Sequence, residues 1–430
     1  MYISLAKPGA GGDGPPKTRQ GIRTVSSTVV TLGIVSMLTD ISSESVAAVL
    51  PLYITGFLGL TTIAFGFLDG LYQGVSALTR VAAGYTADRA DQPKRVAFFG
   101  YALAAAARVG LLFWTGFAGI TAVVTADRIG KGIRTAPRDA LITAASKPER
   151  LGVSFGTHRM LDNIGAAAGP LIAFLILLVI PDGFDVVFAA SLAFAVVGVA
   201  ILGLLVPNLR PRRAAASTST ATTDAAPRRS IDWRAIATGP MRRVLAAAGI
   251  LGLLTIGDGF VYLVLQSRGD FAAQWFPLLY VGTNVAFLAF AIPFGRLADR
   301  VGRARVFVFG HLGLLAAYVV AFLPITDIAA TLVCLSCLGA FYAATDGVLA
   351  ALAAQLSPES SRATGIASAQ TVVAVARFVS AMAFGILWYS VGREASLMIV
   401  AGVLAAGIGA TYLVLRPVFA LTTPRATASP

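Results

Sequence analysis

Gly84-Tyr85-Thr86-Ala87-Asp88-Arg89, followed by Lys94-Arg95, and Gly295-Arg296-Leu297-Ala298-Asp299-Arg300, followed by Gly302-Arg303 and Arg305, are two copies of one short pattern. Each reads Gly-x-x-x-Asp-Arg with cations close behind, and each lies between two long apolar stretches. A glycine-bearing, charged segment in that position is a tight turn between membrane-spanning helices. Two copies, one in each part of the chain, indicate two related membrane halves.

The composition agrees. Of 430 residues, 57% are apolar and 13% charged, and the mean hydropathy is +0.78, more than a soluble surface accommodates. A spanning helix takes about 20 apolar residues, so the chain has room for about twelve crossings with short loops. The apolar runs are continuous, without the period-two alternation of a barrel strand. A net charge of +13 raises the question of nucleic acid, but the cations sit where a bilayer places them. Lys7, Lys17, Arg19 and Arg23 precede the first span. Arg210, Arg212, Arg213, Arg228, Arg229, Arg234, Arg242 and Arg243 fill the middle loop, and Arg416 and Arg425 follow the last span. The opposite loops carry chiefly Arg268 and Arg393. The positive-inside rule then puts both termini and the middle loop in the cytoplasm, with an even number of spans.

Spans are expected near 29–54, 62–86, 95–116, 120–145, 152–180, 184–206, 243–266, 273–297, 304–324, 328–355, 362–390 and 394–416. The expected domains are a flexible tail over 1–25, a six-helix half over 26–206, a solvated linker over 207–242, a second half over 243–416 and a cytoplasmic tail over 417–430. Within the linker, Ser230-Ile231-Asp232-Trp233 suits the start of a short surface helix, with Trp233 at the headgroups. Pro148-Glu149-Arg150 with Gly156 is mirrored by Pro358-Glu359 with Arg362 and Gly365, which extends the repeat. Residues 1–25 have no apolar core and do not read as a cleaved signal. Cys334 and Cys337 lie in an apolar run with no further Cys or His to complete a metal site, and read as small packing residues.

Charges inside a span are costly and mark functional candidates. Asp40 and Glu44 are one turn apart on the first span and share a face. The fourth span carries Asp127, Arg128, Lys131, Arg134, Arg138 and Asp139, all within an arc of roughly 140°. That face must meet other charged helices or a central cavity. Gly130, Gly132 and Pro137 are expected to loosen the helix there. Its cations read as partly unpaired, the alternative being a structural ion network with Asp40, Glu44, Asp69 and Asp162. His158, Arg159 and Asp162 add polar groups to the fifth span, His158 as a solvated or hydrogen-bonded side chain. Asp258, Tyr262 and Gln266 lie on the seventh span, Tyr342 and Asp346 on the tenth, and Arg377 on the eleventh. An Asp–Arg pair near the midplane satisfies both charges and leaves one Asp to protonate or to meet a cationic group; Asp258 and Asp346 are expected to line the cavity, the alternative being interhelical ties.

The doubled loop resembles the signature loop of the major facilitator superfamily, which implies an all-α fold of twelve transmembrane helices in two six-helix halves. In that family the loop Asp meets a helix N-terminus of the other half and the Arg pairs with a nearby acid. Gly84, Asp88, Arg89, Gly295, Asp299 and Arg300 are then a cytoplasmic gate, Asp88 meeting the helix that begins near Ser360–Arg362 and Asp299 the one near Lys147–Arg150. Arg128-x-x-Lys131-Gly132 is similar to the family's fourth-helix Arg-x-x-Gln-Gly, whose Arg is associated with proton transfer in drug/proton antiporters, with Lys131 in place of Gln. Gly165-Ala166-Ala167-Ala168-Gly169-Pro170 resembles the antiporter Gly-x-x-x-Gly-Pro motif, although Ala173 and Phe174 stand where its closing Gly pair is found. Small residues four apart also serve close helix packing.

The resulting expectation is a proton-coupled secondary transporter of a prokaryotic inner membrane that moves a small solute by alternating access. The proton-coupling candidates are Asp40, Glu44, Arg128, Asp162, Asp258 and Asp346. The substrate-cavity candidates are Lys131, Arg134, Arg159, Tyr262, Tyr342 and Arg377, and Gly165, Gly169 and Pro170 are helix-packing residues. Export by antiport draws on the fourth- and fifth-span motifs. Uptake of a small organic anion by symport draws on the cations Arg80, Arg108, Arg128, Lys131, Arg134, Arg138 and Arg159. A passive channel and a transport-derived receptor are further alternatives. A phosphate-binding Gly-x-x-x-x-Gly-Lys-Ser/Thr motif does not occur. The expected partners are solute, protons and lipid, without cofactor, metal or nucleic acid, and a monomer is expected.

Overall fold

A computed structural model of the protein describes residues 25–87, 92–147, 150–209, 238–325, 327–358 and 361–422. Twelve helical crossings follow one another in it: α1 (Ser27–Leu52), α2 (Thr62–Ala87), α3 (Pro93–Phe113), α4 (Phe117–Ala144), α5 (Leu151–Val179), α6 (Phe184–Leu205), α7 in two pieces (Gly239–Leu253 and Asp258–Gly269), α8 (Pro277–Val301), α9 (Arg303–Phe322), α10 (Ile328–Leu356), α11 (Arg362–Val391) and α12 (Arg393–Thr422). Among the described residues ten crossings are long and apolar enough to span a bilayer. The two that fall short, α2 and α4, carry polar and charged side chains along their length. Several helix ends differ from the expected spans, α8 by four residues at each end. α7 begins at Gly239, where the Thr238 side chain accepts from the Met241 amide and Pro240 occupies the first turn. α12 continues to Thr422 because Val418 and Phe419 are themselves buried. The 230–233 segment lies outside the described residues.

The repeat is visible in the packing. In the first half α1 packs on α5 and α6, α3 on α4 and α6, and α2 on α4. In the second, α7 packs on α11 and α12, α9 on α10 and α12, and α8 on α10, the same pairings six helices later.

Glycines set the closest approaches. A Cβ at Gly165 would overlap the Met37 carbonyl of α1, and one at Gly169 would lie 2.8 Å from the Ser45 amide nitrogen. The Gly165–Pro170 stretch is therefore where α5 meets α1. Gly130 faces α3 in the same way, with an added Cβ 3.0 Å from the Ala104 nitrogen. The expectation that glycine and Pro137 loosen α4 is not met: the helix is continuous from Phe117 to Ala144, and Gly130 is part of a tight interface.

α7 does break, over residues 254–257. In hydrocarbon the freed backbone groups need partners. Tyr318 of α9 supplies both: its hydroxyl oxygen accepts from the Ile256 amide at 2.9 Å, and the hydroxyl donates to the Leu254 carbonyl at 3.4 Å.

The halves meet through α2 against α11 and α5 against α8. Their contact lies at the end where α1, α5, α7 and α11 finish. There Gly66 abuts the Ala381 carbonyl, an added Cβ at Gly70 would lie 2.9 Å from the Phe378 carbonyl, and Thr62 donates to the Gly385 carbonyl at 3.1 Å. Phe65 packs edge-on against Phe260 at 4.7 Å, and Phe174 meets Trp275 at 5.3 Å. At the opposite end, around Gly152 and Gly156 of α5 and Gly295 of α8, an added Cβ meets nothing within 4 Å among the described residues. Gly66→Val is expected to force α2 and α11 apart and to destabilise the protein by about 1–3 kcal/mol, measured as a lower unfolding midpoint in detergent. Gly402→Ala, in open space on α12, should stay within about 0.5 kcal/mol of the parent.

Candidate functional site: a graded charge network beside the central cavity

The charged face of α4 turns toward α1, α3 and α5. At its centre Asp127 accepts from two arginines: Arg108 of α3 at 2.8 Å and the Nε of its neighbour Arg128 at 2.8 Å. Arg108 also donates to Ser42 and Ser43 of α1, each at 3.2 Å, and the Arg128 guanidinium lies 3.8 Å from the centre of the Tyr72 ring. All three charged residues are under 5% exposed. Hydrogen bonds and a ring face thus replace water around each charge.

Nearer the open end the pairs loosen. Arg134 reaches Asp40 at 3.5 Å and lies over Tyr101. Arg138 pairs with Asp139 at 3.1 Å and Asp162 at 3.9 Å, and donates to Ser36 at 3.3 Å. Ser36 also bonds Tyr101 and His158, so His158 is hydrogen-bonded and buried, not solvated. Arg159 pairs with Asp162 at 3.3 Å from an exposed position. Lys131 meets Glu44 at 3.7 Å, and both side chains are more than a quarter exposed.

The reading of these cations as partly unpaired needs correction. Each of Arg108, Arg128, Lys131, Arg134, Arg138 and Arg159 has a carboxylate within 4 Å. Six cations face the five carboxylates Asp40, Glu44, Asp127, Asp139 and Asp162, a net charge of one. The side chain of Arg80 lies outside what is described.

In the second half Asp346 pairs with Arg377 at 3.7 Å, and Asp258 accepts from the Tyr342 hydroxyl at 2.8 Å. The Arg377 guanidinium lies beside the rings of Phe341 and Tyr342. Tyr262 is fully buried behind Tyr280 and donates to Thr283 at 2.7 Å, so it is not on the cavity wall in this state. Gln266 donates to the Phe271 carbonyl and ties down the turn after α7. Cys334 is buried and Cys337 partly so, both as free thiols.

The sequence profile of the Major Facilitator Superfamily matches residues 32–283 and 269–429. The chain belongs to this superfamily. An uncharacterized MFS-type transporter of Methanocaldococcus jannaschii is 27% identical over 384 residues, covering 86% of this chain and 91% of that one. Among solved structures, the nucleoside transporter NupG superposes with a TM-score of 0.74 at 15% identity, over 91% of this chain and 99% of its own. A bacterial homolog of the human lysosomal transporter Spinster, in an inward-facing and unoccupied conformation, superposes with a TM-score of 0.73 at 14% identity, over 93% and 98%. The chain is therefore a multi-pass membrane transporter of the MFS type and not an enzyme.

Of the superfamily's gate loops, Asp88 and Arg89 lie outside the described residues, as does the side-chain position of Gly84. In the second loop Asp299 pairs with Arg303, one turn on in the same half, at 3.0 Å. Gly295 is half-buried and Arg300 exposed at the open end.

Tyr72 is not among the residues read from the sequence, Arg108 is read there only as one of the cations for an organic anion, and Asp69 only as a member of a structural ion network. Arg108 and Asp69 carried the one available signal, a charge within an otherwise apolar span. Nothing in the sequence says that Arg108 reaches Asp127. Asp127→Asn would leave two buried guanidinium groups short of charge and is expected to cost about 3–5 kcal/mol. Glu44→Gln, at a partly exposed pair, should cost about 1 kcal/mol or less. Unfolding midpoints of the two purified variants measure the difference.

Proposed function

We propose that this MFS transporter is a proton-coupled antiporter that exports a small solute across the inner membrane of a prokaryote, with both termini cytoplasmic. The observation that carries the reading is the gradient along the α1–α4 face. Asp127 is clamped by two arginines and dry, whereas Asp40 and Glu44 hold single cations at 3.5 and 3.7 Å, and the Glu44–Lys131 pair touches solvent. A carboxylate held by one distant cation exchanges that partner for a proton at small cost. One held by two buried arginines does not. Glu44 and Asp40 are thus the carriers, while Arg128, tied to Asp127 and Tyr72, holds the network in shape.

With cation-rich loops in the cytoplasm, the open end faces the cytoplasm and the α2–α11 contact seals the outer side. Solute enters between Lys131–Glu44 on one half and Arg377–Asp346 on the other. The halves then rock about the central site, Asp299 leaves Arg303, and the two gate loops cap the starts of α5 and α11 in the opposite state. Near-complete compensation of the first-half cations weakens the case for an anion-selective cavity. Uptake of a small organic anion by symport keeps one support, the placement of Lys131 and Arg377 on opposite halves.

The test uses everted membrane vesicles with an acidic interior and a pH-sensitive dye. The panel is organic cations, nucleosides, as suggested by the likeness to a nucleoside transporter, and organic anions. An antiported solute should dissipate the pH gradient and accumulate inside, and a protonophore should abolish the accumulation. Glu44→Gln should retain solute-induced thermal stabilisation while losing at least tenfold in gradient-driven accumulation. Accumulation indifferent to the protonophore contradicts proton coupling; an anion driven inward only in right-side-out vesicles, with proton entry, establishes the symport reading instead.

A further inference from the structure

Asp69 stands apart from the network. It lies on α2, on the stripe that carries Phe65, and both residues face α7 of the other half. Phe65 packs on Phe260. The Asp69 carboxylate abuts the α7 break, where a Cβ at Gly257 would overlap its Oδ2. That oxygen is buried, and no donor among the described residues reaches it. The charged groups acting on it are Asp258 from α7 and Arg377 from α11. Asp258 is engaged by Tyr342, and Arg377 by Asp346. From α8 the neighbouring titratable group is the Tyr280 hydroxyl, and on α2 itself the next turn carries Tyr72, whose hydroxyl is also buried without a partner.

The same helix forms the seal between the halves. Gly66 and Gly70, flanking Asp69, are the points where α2 touches Ala381 and Phe378 of α11. Gly257 admits the Asp69 carboxyl only because it lacks a side chain. Closing this end therefore presses one carboxyl oxygen into the interface without a donor, while the residue as a whole stays partly exposed and the cation acting on it, Arg377, is shared with Asp346. An ionised carboxylate there is expensive; a neutral carboxyl costs far less. When the halves part at this end, water reaches this oxygen too and the ionised form becomes cheaper.

We propose that Asp69 is the proton-binding residue of the outer gate: its carboxyl takes up a proton as α2 closes on α7 and α11, and loses it before that end reopens. The assignment rests on the proton-coupled reading above and adds to it a second site, in the seal itself, through which proton occupancy decides which end is open. It also accounts for the juxtaposition of Asp69 with glycine at the break of α7. The sign follows from linkage: the closed form binds the proton more tightly, so acid favours closure, and the open-to-closed ratio rises by up to about tenfold per pH unit.

The test needs no substrate. Spin labels at Thr61→Cys and Val391→Cys, in a Cys334→Ser, Cys337→Ser background reconstituted in nanodiscs, report the distance across the outer end by pulsed electron resonance from pH 5 to 9. The parent is expected to shift from the short to the long distance as pH rises. Asp69→Asn, which carries a permanently neutral side chain, should remain at the short distance throughout, whereas Asp69→Glu should restore a pH-dependent shift. Asp258→Asn should keep the shift as well. If Asp69→Asn follows the parent curve, or the parent shows no shift, the assignment is overturned. Failure of proton coupling itself is read separately, from protonophore-insensitive accumulation by the parent.

Discussion

The placement of charge where water is absent constrains the rest of this structure. Asp127 needs Arg108 from a second helix, Arg108 needs Ser42 and Ser43 from a third, and Arg128 is covered by Tyr72 from a fourth. α1, α2, α3 and α4 are thereby fixed relative to one another by one carboxylate. Apolar packing alone gives little preference for one helix rotation over another in lipid, because lipid tails are as apolar as leucine. The ion cluster and the glycine contacts of α5 on α1 supply the missing specificity.

The second half solves the same problem with fewer charges. Asp258 takes a tyrosine hydroxyl, Asp346 one arginine, and the broken α7 has its free backbone groups satisfied by Tyr318. The first half is accordingly a rigid charged block, and the second carries the discontinuity. Among the described residues, contact between them at this end is made chiefly by small residues and aromatic edges, with the Thr62 hydroxyl and the Asp69 carboxyl, an arrangement that separates without breaking an ion pair. Asp299, the proposed gate aspartate, is held by Arg303 of its own half in this state.

Much of this was legible in the sequence. The doubled Gly-x-x-x-Asp-Arg loop and the run lengths were enough to place all twelve crossings and the two-half plan, because a bilayer sets helix length and the repeat sets pairing. The charged face of α4 was equally plain. Its pairing was not: Arg108 is 19 positions from Asp127 in the chain, and the excess of cations shrinks to one only when α1, α3 and α5 are folded against α4. Tyr262 was misplaced because residue type does not distinguish a cavity wall from the layer behind it. Asp69 was read only as a member of a structural ion network, because its significance lies in Gly257, 188 residues away, and in the absence of a donor, which only packing reveals.

The account depends on a division between carboxylates that hold the structure and carboxylates that carry the proton. Infrared difference spectroscopy between acidic and neutral pH, on the protein in nanodiscs, reads protonated carboxyl groups directly. The account predicts a carboxylic-acid band that weakens in Glu44→Gln and in Asp40→Asn, with no component assignable to Asp127. A band unchanged in both variants, or one lost on replacing Asp127, would contradict it.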